Sequence, residues 1–199
     1  MKIFKSRKSK VLLSIGTVAF TGVIAFAFLL LSDYTAAEES KQKKGSILSF
    51  SESFLAAPAE GKVLSYFGPR TVLQNETEHL GIDIGEAEDN STYAVAAGTV
   101  TKVYSQCTEN GHVGSSCGDG YGNYIQVQHV IEGQQFETLY AHLEDTLVSE
   151  GQMVEVNEKI GTIGNSGNAV GKALHFELHV PHKNGQETAI DPLLYIPMK

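Results

Sequence analysis

The chain has 199 residues and a formal net charge of −8, with twenty glycines, five prolines and no tryptophan. The charge is uneven: residues 1–10 carry five basic side chains, whereas residues 45–199 carry seven basic against twenty acidic ones, a difference of −13. An acidic domain lacks the basic face that phosphate binding needs, so no nucleic-acid partner is expected, and adhesion to anionic polymers or lipid by charge alone is disfavoured.

The first predicted element is a membrane anchor. Residues 11–31 form a run of 21 residues without a formal charge, long enough for a helix to cross a bilayer. Because basic residues precede the run and acidic residues follow it, the positive-inside rule predicts 1–10 as a cytoplasmic tail, 11–32 as the anchor and the rest as extracellular. The alternative is a cleaved signal peptide, although the apolar run is longer than signals usually have. Either way the domain is exported.

The remainder is predicted to be a linker and one β domain. Residues 33–59 are polar and mixed in charge, which is typical of a linker, and 60–199 form the domain. Period-two alternation predicts strands at 61–67, 79–84, 93–104 (two strands around Gly98), 123–130, 137–143 and 174–180, with a turn at 68–70 and short apolar pairs between glycines at 148–164. No convincing amphipathic helix is present. The pattern predicts an all-β sandwich or partly open barrel.

Cys107 and Cys117 lie in a polar, glycine-rich loop between two predicted strands. Two cysteines in one loop of an exported protein predict a disulfide, which stabilises by about 3 kcal/mol on the loop-closure model. A metal site formed by Cys107, His112 and Cys117 is the alternative, but it offers too few ligands for a structural zinc.

A second candidate metal site needs residues that are far apart in the chain. A catalytic zinc uses three nitrogen, sulfur or carboxylate ligands and leaves one position for water. His79 and Asp83 would lie about 13 Å apart on an extended strand, so they can share an ion only if the backbone turns between them, as Gly81 permits. By spacing alone this pair is more often a surface pair, and His175 could equally be a satisfied core histidine.

Seven short motifs change that reading. In chain order they are YFGPR at 66–70, HxGxD at 79–83, AGxV at 97–100, GYGN at 120–123, YAHL at 140–143, GxxGxSG at 161–167 and LHFE at 174–177. Together they resemble the lysostaphin-like (LytM-like) zinc endopeptidase family, which cuts peptide bonds in bacterial peptidoglycan. The resemblance covers about residues 60–195 and implies a glycine-rich antiparallel β-sandwich with a groove for peptide.

The resemblance also implies roles for individual residues. It assigns one zinc ion to His79, Asp83 and His175, and it makes His142 the general base or the group that stabilises the oxyanion. Arg70 is expected to orient a carboxylate or substrate, Asn123 to lie at the groove, and the cysteine loop to stiffen one rim. Two neutral imidazoles and one carboxylate leave zinc with net positive charge, which suits activation of water near neutral pH with an imidazole to carry the proton.

One position departs from the family pattern. The family has His-x-His where this chain has Ala173-Leu174-His175, so a histidine that is normally catalytic is an alanine. Glu177, two residues beyond His175 on the same face, is a carboxylate. His179 lies about 13 Å beyond His175, on the opposite side from Ala173, so it cannot replace the missing imidazole without a bend. Losing one proton-transfer group typically costs about 10²–10⁴-fold in rate.

Three functions are therefore considered. The first is a membrane-anchored, extracellular zinc endopeptidase that cleaves peptidoglycan peptides, with His142 carrying the proton. The second is a non-catalytic relative that binds wall peptide or a partner protein. In the third, zinc is only a structural staple, which is disfavoured because the site keeps an open position. Whether a protein activator is needed is left open.

Overall fold

The computed structural model describes residues 55–72, 75–108, 110–181 and 187–198. The predicted tail, the predicted anchor and most of the predicted linker lie outside these residues. Among the described residues, no helix has the length and apolar character needed to cross a bilayer.

Twelve strands and two short 3-10 turns make up the regular structure of the described part. The strands are β1 (Lys62–Ser65), β2 (Gly68–Val72), β3 (Asn75–His79), β4 (Ile82–Gly85), β5 (Ser91–Tyr93), β6 (Gly98–Tyr104), β7 (Asn123–Ile131), β8 (Gln134–Thr146), β9 (Met153–Val154), β10 (Lys159–Ile163), β11 (Leu174–Pro181) and β12 (Glu187–Ile190). The turns are Cys117–Gly120 and Pro192–Leu194.

Ten of these strands form one sheet, in which the longest path has the order β1-β4-β11-β8-β7-β6-β9. β10 pairs with β5 and with the end of β8, and β12 pairs with β11, so the sheet branches at its centre. β2 and β3 form a separate hairpin. Every pairing among the described strands is antiparallel, which confirms the predicted all-β, antiparallel class.

The core determines which face of β11 is available for chemistry. Leu174, Phe176 and Leu178 alternate along β11 and are almost completely buried in the core cluster. Fully burying an apolar side chain of this size contributes about 1.5–3 kcal/mol. Because side chains alternate between faces, this burial turns His175 and Glu177 to the opposite face of the strand.

Two predictions about the start of the domain are wrong. The segment 79–84 is not one strand, because β3 ends at His79 and β4 begins at Ile82. Gly81 lies in the break, where its backbone packs so closely on β11 that a Cβ would overlap the Phe176 carbonyl oxygen. Residues 68–70 are not a turn either, since they begin β2 of the hairpin.

Candidate metal centre

Three neighbouring strands bring the predicted residues together. His175 on β11 lies opposite Asp83 on β4 at one edge and opposite Ala141 on β8 at the other. Directly opposed residues of antiparallel strands share a face, so the side chains of Asp83 and His175 meet. His79 arrives from the hairpin as the last residue of β3, and the two-residue break after it turns the chain back into β4.

Three ligand atoms form a small triangle. The Nε2 atom of His79 is 3.1 Å from the Nδ1 atom of His175, and Oδ1 of Asp83 is 3.2 Å and 2.9 Å from these two nitrogens. Tetrahedral zinc with bonds of about 2.0–2.1 Å would hold its ligands about 3.3 Å apart. Both the dimensions and the chemistry of this donor set fit zinc with one position left for water or substrate.

Each imidazole is oriented through the nitrogen that points away from the triangle. Nδ1 of His79 donates to the Tyr66 carbonyl oxygen at 2.7 Å, and Nε2 of His175 donates to Glu177 Oε1 at 2.8 Å. These bonds leave an unprotonated nitrogen of each ring for a metal. Burial lowers the pKa of His175, but the carboxylates of Asp83 and Glu177 on either side of the ring outweigh burial and raise it, so this position favours positive charge, which a metal ion at Nδ1 would supply in place of a proton.

Arg70 fixes the carboxylate of the triangle. Its Nη1 donates to Oδ2 of Asp83 at 2.9 Å and to the Ser65 hydroxyl at 2.8 Å, which leaves Oδ1 directed at the imidazoles. Burial raises the pKa of Asp83, but the imidazoles of His175 and His79 beside its Oδ1 hold it far below its ordinary range. Of the two expected partners for Arg70, the structure shows the carboxylate.

His142 reaches the same site from a β-bulge. Between the pairs Asn123–Leu143 and Ile125–Tyr140, β8 contains one residue more than β7. His142 occupies this bulge with φ of +60°, a conformation uncommon for a residue other than glycine. The bulge re-aims the side chain, and the ring centroids of His142 and His175 are 5.7 Å apart.

The contacts of His142 prepare it to accept a proton. Its Nδ1 donates to the Ser166 carbonyl oxygen at 2.8 Å, which makes Nε2 the unprotonated nitrogen. Burial and the neighbouring His175 lower the pKa of His142 to about 4, so the ring is neutral at neutral pH.

Two adjoining cavities flank the centre, of about 430 Å³ and about 210 Å³, and both are lined by Arg70, Glu78, His142 and Asn168. Ala173 lines the larger one together with Asp83, His142 and the exposed side chain of Val170. Position 173 therefore faces the site, and the chain places a methyl group there.

Asn123 is not at the groove as expected. Its side chain is buried and lines neither cavity. The side-chain oxygen of Asn123 accepts from the Cys107 N–H at 2.9 Å. The side-chain nitrogen donates to the Cys107 carbonyl at 3.1 Å and to the Leu143 carbonyl at 3.3 Å. Its role is to hold the cysteine loop against β8.

The two cysteine sulfurs are bonded to each other in the structure, which excludes the alternative metal site at His112. The loop that they close contributes Val113 to the larger cavity. The turn that follows Cys117 contributes Asp119 and Gly120 to the smaller one, next to Tyr121. The disulfide loop therefore forms part of the wall around the candidate centre.

Sequence reasoning gave Glu177 no firm role and did not single out Tyr121. Glu177 is 1% exposed and accepts from His175, from His179 at 2.5 Å and from the Tyr121 hydroxyl at 3.0 Å. The signal for Glu177 was in the chain, because residues 175, 177 and 179 share one face of a strand. Tyr121 gave no such signal, since it belongs to a loop.

The sequence model of the family "Peptidase family M23" matches residues 77–192, which is more than half of the chain. Three relatives are an uncharacterized metalloprotease of Haemophilus influenzae (33% identity, 67% of this chain and 25% of the relative), the murein hydrolase activator NlpD of Escherichia coli (32%, 71% and 31%) and the peptidoglycan DD-endopeptidase ShyA of Vibrio cholerae (31%, 66% and 28%). The chain thus spans about a quarter to a third of these relatives.

Solved structures are similar as well. A zinc-containing peptidase from Vibrio cholerae matches with a TM-score of 0.55 and 25% identity over 74% of this chain and 41% of that chain. The catalytic domain of the antimicrobial peptidase lysostaphin from Staphylococcus simulans matches with a TM-score of 0.50 and 26% identity, covering 67% of this chain and 90% of that domain.

Proposed function

Because the chain belongs to peptidase family M23, we propose that it is a zinc metalloendopeptidase that cleaves peptide bonds in bacterial peptidoglycan, held outside the cell by its N-terminal segment. The resemblance to lysostaphin-like peptidases is confirmed by the family match. One observation carries the enzymatic part of the proposal. The three ligand atoms lie about 3 Å from one another, and a further hydrogen bond orients the side chain of each ligand.

The substrate class is taken from the relatives. This chain is similar to ShyA, a peptidoglycan DD-endopeptidase, and to the catalytic domain of lysostaphin, an antimicrobial peptidase. The acidic charge of residues 45–199 supports a peptide substrate over a polyanionic one. The open cavities beside His142 give an extended peptide room to approach the ligand triangle.

The residues of the chain divide the chemistry between them. Zinc, when bound by His79, Asp83 and His175, would polarise the scissile carbonyl and lower the pKa of water. His142 holds an unprotonated Nε2 beside this position, so it takes the proton from the attacking water and delivers it to the departing amine nitrogen. No second imidazole helps at position 173, so His142 carries both transfers.

A second candidate function is a non-catalytic domain that binds wall peptide or a partner protein. Ala173 favours it, because that position lines the cleft without a proton-transfer group. Similarity to NlpD, whose name describes an activator of murein hydrolases, points the same way. In this case the cleft would bind its ligand without cleaving it.

Digestion of purified peptidoglycan separates the two functions. The full chain, in detergent and loaded with zinc, is incubated with sacculi of several cross-link types, and new amino termini are counted. We expect release that a chelator abolishes and added zinc restores, with His175→Ala inactive and the exposed His112→Ala unaffected. A folded, zinc-loaded chain that cleaves none of these substrates would favour the binding function.

A further inference from the structure

The disulfide loop, residues 107–117, is followed by a turn that leads directly into the candidate metal centre. Cys117, one half of the disulfide, begins the 3-10 turn that ends just before Tyr121. The Tyr121 N–H donates to the Gly118 carbonyl and the Gly122 N–H donates to the Cys117 carbonyl, both at 3.0 Å. The disulfide therefore constrains the backbone from which Tyr121 extends.

Tyr121 contacts both sides of the centre. Its carbonyl oxygen accepts the backbone N–H of His142 at 2.8 Å. Its hydroxyl donates to Oε1 of Glu177 at 3.0 Å, and the same oxygen accepts from Nε2 of His175 at 2.8 Å. One residue thus holds the backbone of the proton-carrying histidine and the carboxylate that orients a metal ligand.

Glu177 depends on these donors because it is buried. A buried carboxylate is costly unless it is hydrogen-bonded. Glu177 is buried, and its two oxygens accept from His175, His179 and Tyr121. Burial and Glu177 raise the pKa of Tyr121, so its hydroxyl stays protonated and donates. Without that donor, Oε1 would keep only the bond to His175.

We propose that Tyr121 is a positioning residue for the metal centre and that the Cys107–Cys117 disulfide keeps it in place. The proposal rests on the zinc site proposed above, because what Tyr121 positions is His142 and, through Glu177, the ligand His175. Hydrogen bonds that orient metal-bound histidines are worth about 10–100-fold in metal affinity, and we expect the Tyr121 hydroxyl to contribute within this range.

Tyr121 also lines the smaller cavity, so it could act on substrate alone. A substrate contact would change KM and leave metal affinity unaltered, because no substrate is present when metal is titrated. A positioning role would change metal affinity in the absence of substrate. Zinc binding is therefore the decisive measurement.

The experiment compares Tyr121→Phe with Tyr104→Phe in the full chain. Zinc affinity is measured by competition with a chelator, and cobalt(II) provides a spectrum that reports ligand geometry. Tyr121→Phe should bind zinc about 10–100-fold more weakly and alter the cobalt spectrum. Tyr104 stacks on Tyr124 in the same aromatic cluster, and its substitution should change neither.

The role of the disulfide is tested by a double-mutant cycle. The disulfide is removed by the double substitution Cys107→Ser/Cys117→Ser. A thiol reducing agent is not used, because it would itself bind zinc. The double substitution should weaken zinc binding, and adding Tyr121→Phe should cause less than an additive further loss. Additive effects, or equal binding by wild type and Tyr121→Phe, would overturn this proposal alone. Failure of the wild-type chain to bind zinc would instead overturn the zinc site itself.

Discussion

At position 173 the wall of the larger cavity is a methyl group that shares this cavity with His142 and Asp83. An imidazole there would stand beside the reacting position, where a second proton carrier could relieve His142 of one of its two transfers. Ala173→His should therefore raise the rate of peptidoglycan cleavage by up to about 10²–10⁴-fold without changing zinc content.

Asn168→His is the matched control for this substitution, because residue 168 is exposed and lines the same cavity. Initial rates of amino-terminus release are measured for both variants and for wild type at equal zinc loading. Only Ala173→His is expected to be faster than wild type. If Ala173→His is no faster than wild type, proton transfer does not limit the rate and the explanation given for Ala173 is wrong.

The partly buried, neutral His142 should make the metal-free protein sensitive to acid. Its folded-state pKa of about 4 lies below the ordinary histidine value of about 6.5, so the unfolded chain takes up this proton first as the pH falls. The free energy of unfolding should therefore be unaffected by His142 above pH about 6.5 and should fall between pH about 6.5 and 4. The difference between the two pKa values corresponds to a loss of up to about 3 kcal/mol.

His142→Asn isolates this contribution, because asparagine tolerates the positive φ of the bulge. Urea unfolding of both proteins at pH 7 and pH 5, with chelator present, should show a smaller loss for the variant. The pKa of His129 is also lowered by burial, but its contribution is common to both proteins and cancels. Equal losses would mean that His142 titrates normally.

Among the strands, β11 shows how far a pattern can lead. Alternation along 174–180 predicted the strand, but it left open whether His175 faces a site or the core. In the structure, burial of Leu174 and Phe176 in the core leaves only the opposite face of the strand for His175. The bend between His79 and Asp83 was also predicted, but only as something that Gly81 permits. Its cause is the close approach of β11, a contact between segments almost a hundred residues apart that no local pattern encodes.

The bulge at His142 and the burial of Asn123 could not be predicted for a related reason. Both depend on the register between β7 and β8, and a one-residue insertion in one strand becomes visible only when the partner strand is known. The motifs GYGN and YAHL marked the right segments. They could not show that Asn123 would bind the cysteine loop instead of facing the groove.

Gly81→Ala tests whether close packing of two strands sets the geometry of the centre. The added Cβ would overlap the Phe176 carbonyl oxygen, so β4 and β11 must separate, which should cost about 1–3 kcal/mol and weaken zinc binding. Gly171→Ala is the control, since a Cβ there meets nothing within 4 Å, and we expect a change within about 0.5 kcal/mol. Denaturant unfolding and zinc titration are measured for both variants. Similar free energies of unfolding and similar zinc affinities for Gly81→Ala and Gly171→Ala would contradict the idea that this close packing sets the geometry of the centre.

Taken over the whole chain, charge and hydrophobicity divide the sequence into two parts of different character. The uncharged run 11–31 follows a basic decapeptide, whereas residues 45–199 have an excess of thirteen acidic side chains. Such a domain would be repelled by an anionic membrane surface, so any stable membrane association must come from the N-terminal run. This division also suits the proposed hydrolase, which would stay near a wall substrate without adhering to anionic polymers.

Fractionation of bacterial cells that express the full chain tests the anchor. We expect the chain in the membrane fraction after an alkaline carbonate wash and its domain accessible to protease in spheroplasts. Thr21→Arg places a charge at the middle of the run, at an insertion cost of about 2.5–3.5 kcal/mol, and should shift the chain out of the membrane fraction, whereas Thr21→Leu should not. Recovery of wild type as a soluble protein that lacks the N-terminal run would show that the segment is a cleaved signal.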